Sequence, residues 1–186
     1  IGLAERVRPI ASLSYHSYSE LVLFPYGCQG ALTGENALHE KLAGELAARL
    51  PEDSGSRGNY TPGAPWQILY GVDGDSSSFM YSALGALSFV FELNQSFQPD
   101  YALRNPTVAK HRKAWRYLME RMEGNLLSLS VVDGATGQRA PATIQVNTIP
   151  HNWNERPLAT NSAGRFFKVI DPSTASVGGT VSVPAK

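Results

Sequence analysis

The run Leu87-Ser88-Phe89-Val90-Phe91 constrains this 186-residue chain most, because it is apolar on both faces of an extended backbone. A strand of that kind is covered on both sides, as central strands of α/β sheets are. A second run, Ile10-Ala11-Ser12-Leu13-Ser14-Tyr15, reads as another strand with small polar residues on one face. The two runs close on Glu92 and His16. Open α/β sheets gather their sites where strands end and loops begin. An imidazole able to bind a metal and a carboxylate able to move a proton therefore make a candidate site. Residue chemistry alone leaves a structural reading open for both. A histidine beside a strand is often a satisfied packing residue, and a buried glutamate can be held by a partner.

Residues 35–50 read as a helix, with Leu38, Leu42, Leu46 and Leu50 recurring every four positions. Residues 51–59 have the composition of a flexible surface loop, and residues 60–78 that of a binding loop over a cleft. Asn105-Pro106 predicts a helix start, Asn105 capping and Pro106 in the first turn. Trp115, Leu118, Met119 and Met122 form a core stripe along that helix, and Gly124 ends it. Beyond Gly124 four strands are expected, at 125–132, 142–146, 164–170 and 180–183, with a turn at 133–137.

The charges balance, with 16 basic and 16 acidic residues, so no electrostatic argument favours nucleic acid or an anionic membrane as partner. No apolar run approaches the roughly 18 residues of a membrane span. The opening Ile1-Gly2-Leu3-Ala4-Glu5 has neither an initiator Met nor a signal-peptide layout. Cys28 is the sole cysteine, which rules out an intrachain bridge and predicts a packed thiol.

Three ordered motifs carry a family resemblance. The segment His16-Ser17-Tyr18-Ser19-Glu20-Leu21-Val22-Leu23-Phe24-Pro25-Tyr26-Gly27 closely resembles the zinc carboxypeptidase pattern H-S-Y-(S/G)-x-x-(L/I)-x-(Y/F)-P-(Y/W)-G. Ile68-Leu69-Tyr70-Gly71-Val72-Asp73-Gly74-Asp75-Ser76 is similar to that family's mobile loop. Leu87-Ser88-Phe89-Val90-Phe91-Glu92-Leu93 is similar to its catalytic strand, with Glu92 lying 22 positions after Tyr70 as in the family. The resemblance implies a zinc-dependent carboxypeptidase of the carboxypeptidase A-like type acting on peptide or protein C-termini. It implies His16 as a zinc ligand, Glu92 as general base and acid, and Tyr70 as the tyrosine that caps the substrate. It maps the terminal side-chain pocket onto Leu23, Gly27, Val72, Ser77 and Val90, adds Ser17 and Tyr18 as substrate-binding residues, and places cis peptide links at Ser17-Tyr18 and Pro25-Tyr26. In relatives the residue matching Ser77 is the main discriminator, apolar for apolar ends and Asp for basic ends. A neutral Ser77 favours apolar or aromatic termini; Asp73 and Asp75 could instead meet a basic one, or be solvated loop acids.

The fold expected is α/β: residues 1–123 as the C-terminal half of a mixed-sheet zinc carboxypeptidase domain, and 124–186 as a small, possibly incomplete, all-β transthyretin-like sandwich. The turn at 133–137 and the run Asn161-Ser162-Ala163-Gly164-Arg165-Phe166 carry the second resemblance. No H-x-x-E occurs among the four histidines, His16, His39, His111 and His151. The two remaining ligands of the single Zn2+ ion, and the arginines that hold the substrate carboxylate in relatives, are therefore expected on a missing N-terminal half, without which the chain is expected to be inactive. The family implies a secreted, periplasmic or extracellular setting. Two alternatives stand beside the enzyme reading: a catalytically silent peptide- or protein-binding module, and a cell-surface module in which the sandwich binds. Deleting residues 125–186 is expected to leave activity intact under the enzyme reading and to abolish function under the last.

Overall fold

The computed structural model describes residues 1–53, 58–152 and 155–184. Its helices are α1 (Gly2–Val7), α2 (Asn36–Ala47), α3 (Pro65–Ile68), α4 (Ser76–Leu84) and α5 (Arg104–Gly124). Its strands are β1 (Ala11–Ser17), β2 (Leu21–Leu23), β3 (Thr61–Gly63), β4 (Leu87–Leu93), β5 (Leu126–Ser130), β6 (Thr143–Val146), β7 (Leu158–Ala159), β8 (Arg165–Val169) and β9 (Gly179–Ser182). Among these residues no helix is long and apolar enough to cross a membrane.

A mixed sheet ordered β1-β4-β2-β3 organises the first part of the chain. β4 runs parallel to β1 and antiparallel to β2, and β2 runs parallel to β3. The two-sided burial read from residues 87–91 is present: Leu87, Phe89 and Phe91 are fully buried and Ser88 almost so. Phe89 and Phe91 join Val22 and Phe24 in a core completed by Leu38, Leu42 and Leu46 of α2 and by Ala114 and Leu118 of α5. The leucine period of residues 35–50 thus faces the sheet, although α2 ends at Ala47 and Leu50 is buried just beyond it.

Three local expectations are corrected. α5 begins at Arg104 with Leu103 at its cap, so Asn105 is already helical, and Pro106 occupies the first turn where its missing N–H costs nothing. Its buried face is His111, Ala114 and Leu118; Trp115 and Met119 lie one position round the helix and stay partly exposed. Residues 60–78 are more structured than a loop, since β3, α3 and the start of α4 fall within them. Of the loop read at 51–59, residues 54–57 lie outside the described residues.

After α5 come two small antiparallel sheets, β5-β8 and β7-β6-β9, around a second core of Ile144, Val146, Leu158 and Phe166. Of the four expected strands all form within a residue or two of the predicted bounds, and the short β7 is an addition. This unit is not separate from the first. Val169 at the end of β8 is 1 % exposed and belongs to the first core. At Gly85, which ends α4 with φ 71°, a Cβ would sit 2.3 Å from Leu158 Cδ2. A glycine therefore serves both the left-handed turn and the close approach of the second unit.

Candidate active site

Parallel pairing of β1 and β4 sets His16 directly beside Glu92, while β2 places Leu21 on the other side of the same glutamate. Because side chains alternate along a strand, Ser14, His16, Val90 and Glu92 share the sheet face opposite Phe89 and Phe91. That face floors a cavity of about 260 Å³, walled further by Leu23, Pro65, Leu69, Tyr70, Val72, Asp75, Ser76 and Ser77. The His16 side chain is 66 % exposed, with Nδ1 3.4 Å from Glu92 Oε1. The Glu92 side chain is 8 % exposed, and its Oε2 is buried with no hydrogen-bond partner among the described residues. Burial raises the Glu92 carboxyl above its ordinary range, and the neighbouring imidazole offsets only part of that. Desolvation wins the contest that the sequence left open.

Besides His16 itself, six of the other nine residues singled out from the sequence line this cavity: Glu92, Tyr70, Leu23, Val72, Ser77 and Val90. Tyr70 stands at the mouth, 63 % exposed. Ser17, Tyr18 and Gly27 are not among the residues lining the cavity. Ser17 is the next residue along β1 and so points to the other face, its hydroxyl donating to Phe97 O. Tyr18 follows across a cis peptide bond and is about half exposed. The cis links expected at Ser17-Tyr18 and Pro25-Tyr26 are both present. Gly27 lies behind the wall: a Cβ there would come within 2.4 Å of Val72 O. Its carbonyl accepts from Val72 N at 2.9 Å and its N–H donates to Ser78 Oγ at 3.3 Å.

Sequence reasoning missed Ser14, although its place two residues before His16 on a strand already put both on one face. It also missed what Asp75 does. Asp75 is the N-cap of α4, accepting from Ser78 N at 2.8 Å and from the hydroxyls of Ser77 and Ser78. An Asp ahead of a run of serines and aromatics is a helix-start signal. Asp73 is exposed and outside the cavity wall. Cys28 packs with Tyr26, Ala31 and Tyr81, as expected of a thiol without a partner.

Among the described residues no group of three or more His, Cys, Asp or Glu could hold a metal ion. His16 and Glu92 meet the requirement in part: an accessible imidazole at the cavity edge, and beside it a carboxylate oxygen with an unspent hydrogen-bonding capacity. That is one ligand and one proton acceptor, short of the three protein ligands usual for a catalytic zinc.

A family model described as zinc carboxypeptidase matches residues 3–116, well over half of the chain, and the chain belongs to that family. Carboxypeptidase B of Canis lupus familiaris is 34 % identical over 99 residues, 53 % of this chain and 23 % of that protein. Human carboxypeptidase A1 is 26 % identical over 117 residues, 62 % of this chain and 27 % of that protein. A zinc carboxypeptidase of Simulium vittatum is 34 % identical over 86 residues, 44 % of this chain and 26 % of that protein. The chain spans about a quarter of the length of the curated relatives it matches.

Proposed function

We propose that this chain is the part of a zinc-dependent carboxypeptidase that supplies one metal ligand, the proton-transfer group and the terminal side-chain pocket, with residues 124–186 forming a transthyretin-like sandwich after the catalytic part. The observation that carries the reading is the pairing of His16 with Glu92 at the edge of one cavity, the carboxylate buried and half unsatisfied. His16 would hold the ion together with two ligands from outside this chain, and bound zinc would lower the pKa of its water toward about 7. Glu92, raised by burial, is suited to accept a proton from the attacking water and hand it to the departing amine. Tyr70 at the mouth would close over the bound terminus. The family resemblance supports a secreted, periplasmic or extracellular setting.

The terminal side chain we assign is apolar or aromatic. Leu23, Leu69, Val72 and Val90 give the cavity apolar walls, and Asp75 directs its oxygens into the α4 cap. A lysine or arginine end would be desolvated there against a carboxylate already engaged. The test joins the chain to its natural upstream sequence, titrates zinc and measures residue release from peptides ending in Phe, Leu, Lys and Arg. Chelator-sensitive release is expected, with kcat/KM for Phe or Leu ends at least about tenfold above that for Lys or Arg ends. Glu92→Gln should keep the metal and lower kcat by roughly 10²–10⁴-fold. Absence of release from all four peptides, with zinc bound, would point to the silent binding module instead.

A further inference from the structure

Beside the apolar packing of Val169 and Leu158, the contact between the two units carries a set of polar groups that adjoin the residues shaping the cavity. Tyr26 OH donates to Glu155 Oε1 at 2.9 Å, and the same oxygen accepts from Gly34 N at 2.9 Å. Glu155 Oε2 accepts from Asn152 N at 3.0 Å, so both carboxylate oxygens are satisfied by neutral donors. Burial and the adjacent carboxylate hold the Tyr26 hydroxyl in its protonated, donating form far above the ordinary tyrosine range. Next to this, the buried Lys168 of β8 pairs with Glu35 and donates to Gly85 O at 2.8 Å. Glu35 in turn accepts from Tyr81 OH of α4 at 3.2 Å, and the Tyr26 and Tyr81 rings meet edge to face.

Both anchored tyrosines adjoin the pocket wall. Tyr26 immediately precedes Gly27, whose carbonyl holds Val72 and whose N–H holds Ser78. Tyr81 lies one turn along α4 from Ser77, which lines the cavity.

We propose that Glu155 of the second unit is a positioning residue for the substrate pocket, acting through Tyr26 and Gly27 to fix Val72 and the start of α4. The half-buried Glu155 carboxylate accepts from the Tyr26 hydroxyl and from Gly34 N through the same oxygen, which ties the segment carrying residues 26–27 to the second unit. That backbone is the surface against which the 69–75 loop is laid. Misplacement of a binding wall by about an ångström weakens substrate positioning severely. The proposal rests on the pocket assigned above as the seat of the terminal side chain.

The test uses the full-length enzyme with its natural upstream sequence, and three variants: Glu155→Ala, Glu155→Gln and Tyr26→Phe. For a peptide ending in Phe, Glu155→Ala and Tyr26→Phe should each raise KM about tenfold while kcat stays within about threefold, because the chemical groups are untouched. Glu155→Gln, which keeps an accepting oxygen, should recover most of the loss. Hydrogen exchange should show the Val72 amide exchanging about tenfold faster in Glu155→Ala, with the β4 amides unchanged. If Glu155→Ala does not fold, Tyr26→Phe, which deletes one hydroxyl, carries the same comparison. Unchanged KM and unchanged Val72 exchange in folded variants would overturn the proposal, as would a fall in kcat at constant KM. Should the wild type itself release no residue, the enzyme reading fails on that arm alone, and the Val72 exchange decides the positioning role separately.

Discussion

Two histidines show how position converts one residue type into different roles. His16 lies exposed at a strand end. His39 is wholly buried beside Phe24, Tyr81 and Phe89, with Nδ1 3.0 Å from Thr33 Oγ1. Burial, reinforced by Lys168, pushes His39 down to about 3, and burial pushes His111 down to about 4. Both therefore stay neutral in the folded protein while the unfolded chain protonates near pH 6.5. Between those values the unfolded state binds more protons, so their contribution is complete above about pH 6.5 and is lost as pH falls toward 4. Each contributes a slope of about 1.4 kcal/mol per pH unit in that window. Urea unfolding at several pH values from 7 to 4 should show this loss, and His39→Gln should shrink the slope by about one histidine's share. An unaltered slope in that variant would remove His39 from the account. None of this was readable from the sequence, where His39 and His111 were only two of four histidines outside any H-x-x-E.

At the scale of elements, the strands were legible because their patterns agree with their environment. Residues 87–91 are apolar on both faces; Leu87, Phe89 and Phe91 are fully buried on one, and on the other Ser88 is buried while Val90 borders the cavity. The helix read over residues 35–50 follows its leucine period until the chain turns away at Ala47. The α4 helix was missed because its sequence is polar at the start and its buried side chains meet groups far away in the chain, Tyr81 packing on Tyr26 and His39. Docking through β8 makes a distinct prediction. Lys168 and Glu35 have side chains only 2 % and 8 % exposed, so Lys168→Met leaves an unpaired buried carboxylate. That should cost about 3–5 kcal/mol in chemical denaturation. Adding Glu35→Gln should recover a large part of the loss, because the remaining amide no longer carries charge. Independent, additive losses in the double variant would show that the pair is not coupled.

For the molecule as a whole, the second unit is a structural member rather than an appendage. Val169 fills the first core, Lys168 neutralises Glu35, and Arg156 N donates to Ser82 O at 2.7 Å at the end of α4. The deletion of residues 125–186 that the sequence offered as a discriminating experiment therefore has a different expected outcome. It should abolish the cooperative unfolding transition and expose the first part to limited proteolysis. A truncated protein that keeps a sharp transition near the wild-type temperature would contradict this.

The order of residues by itself determined the central strand, the leucine face of α2, the strand-end placement of His16 and Glu92, and the family. Those features are local, written in alternation, period and motif, and they require no knowledge of what lies across the core. Only the tertiary structure decided the direction of the Glu92 shift, the capture of Asp75 as a helix cap, the withdrawal of Ser17 and Gly27 from the cavity wall, and the docking of the second unit through Glu155 and Lys168. Each of these depends on groups many positions apart in the chain being brought within hydrogen-bond or packing distance, and on the water excluded when they meet.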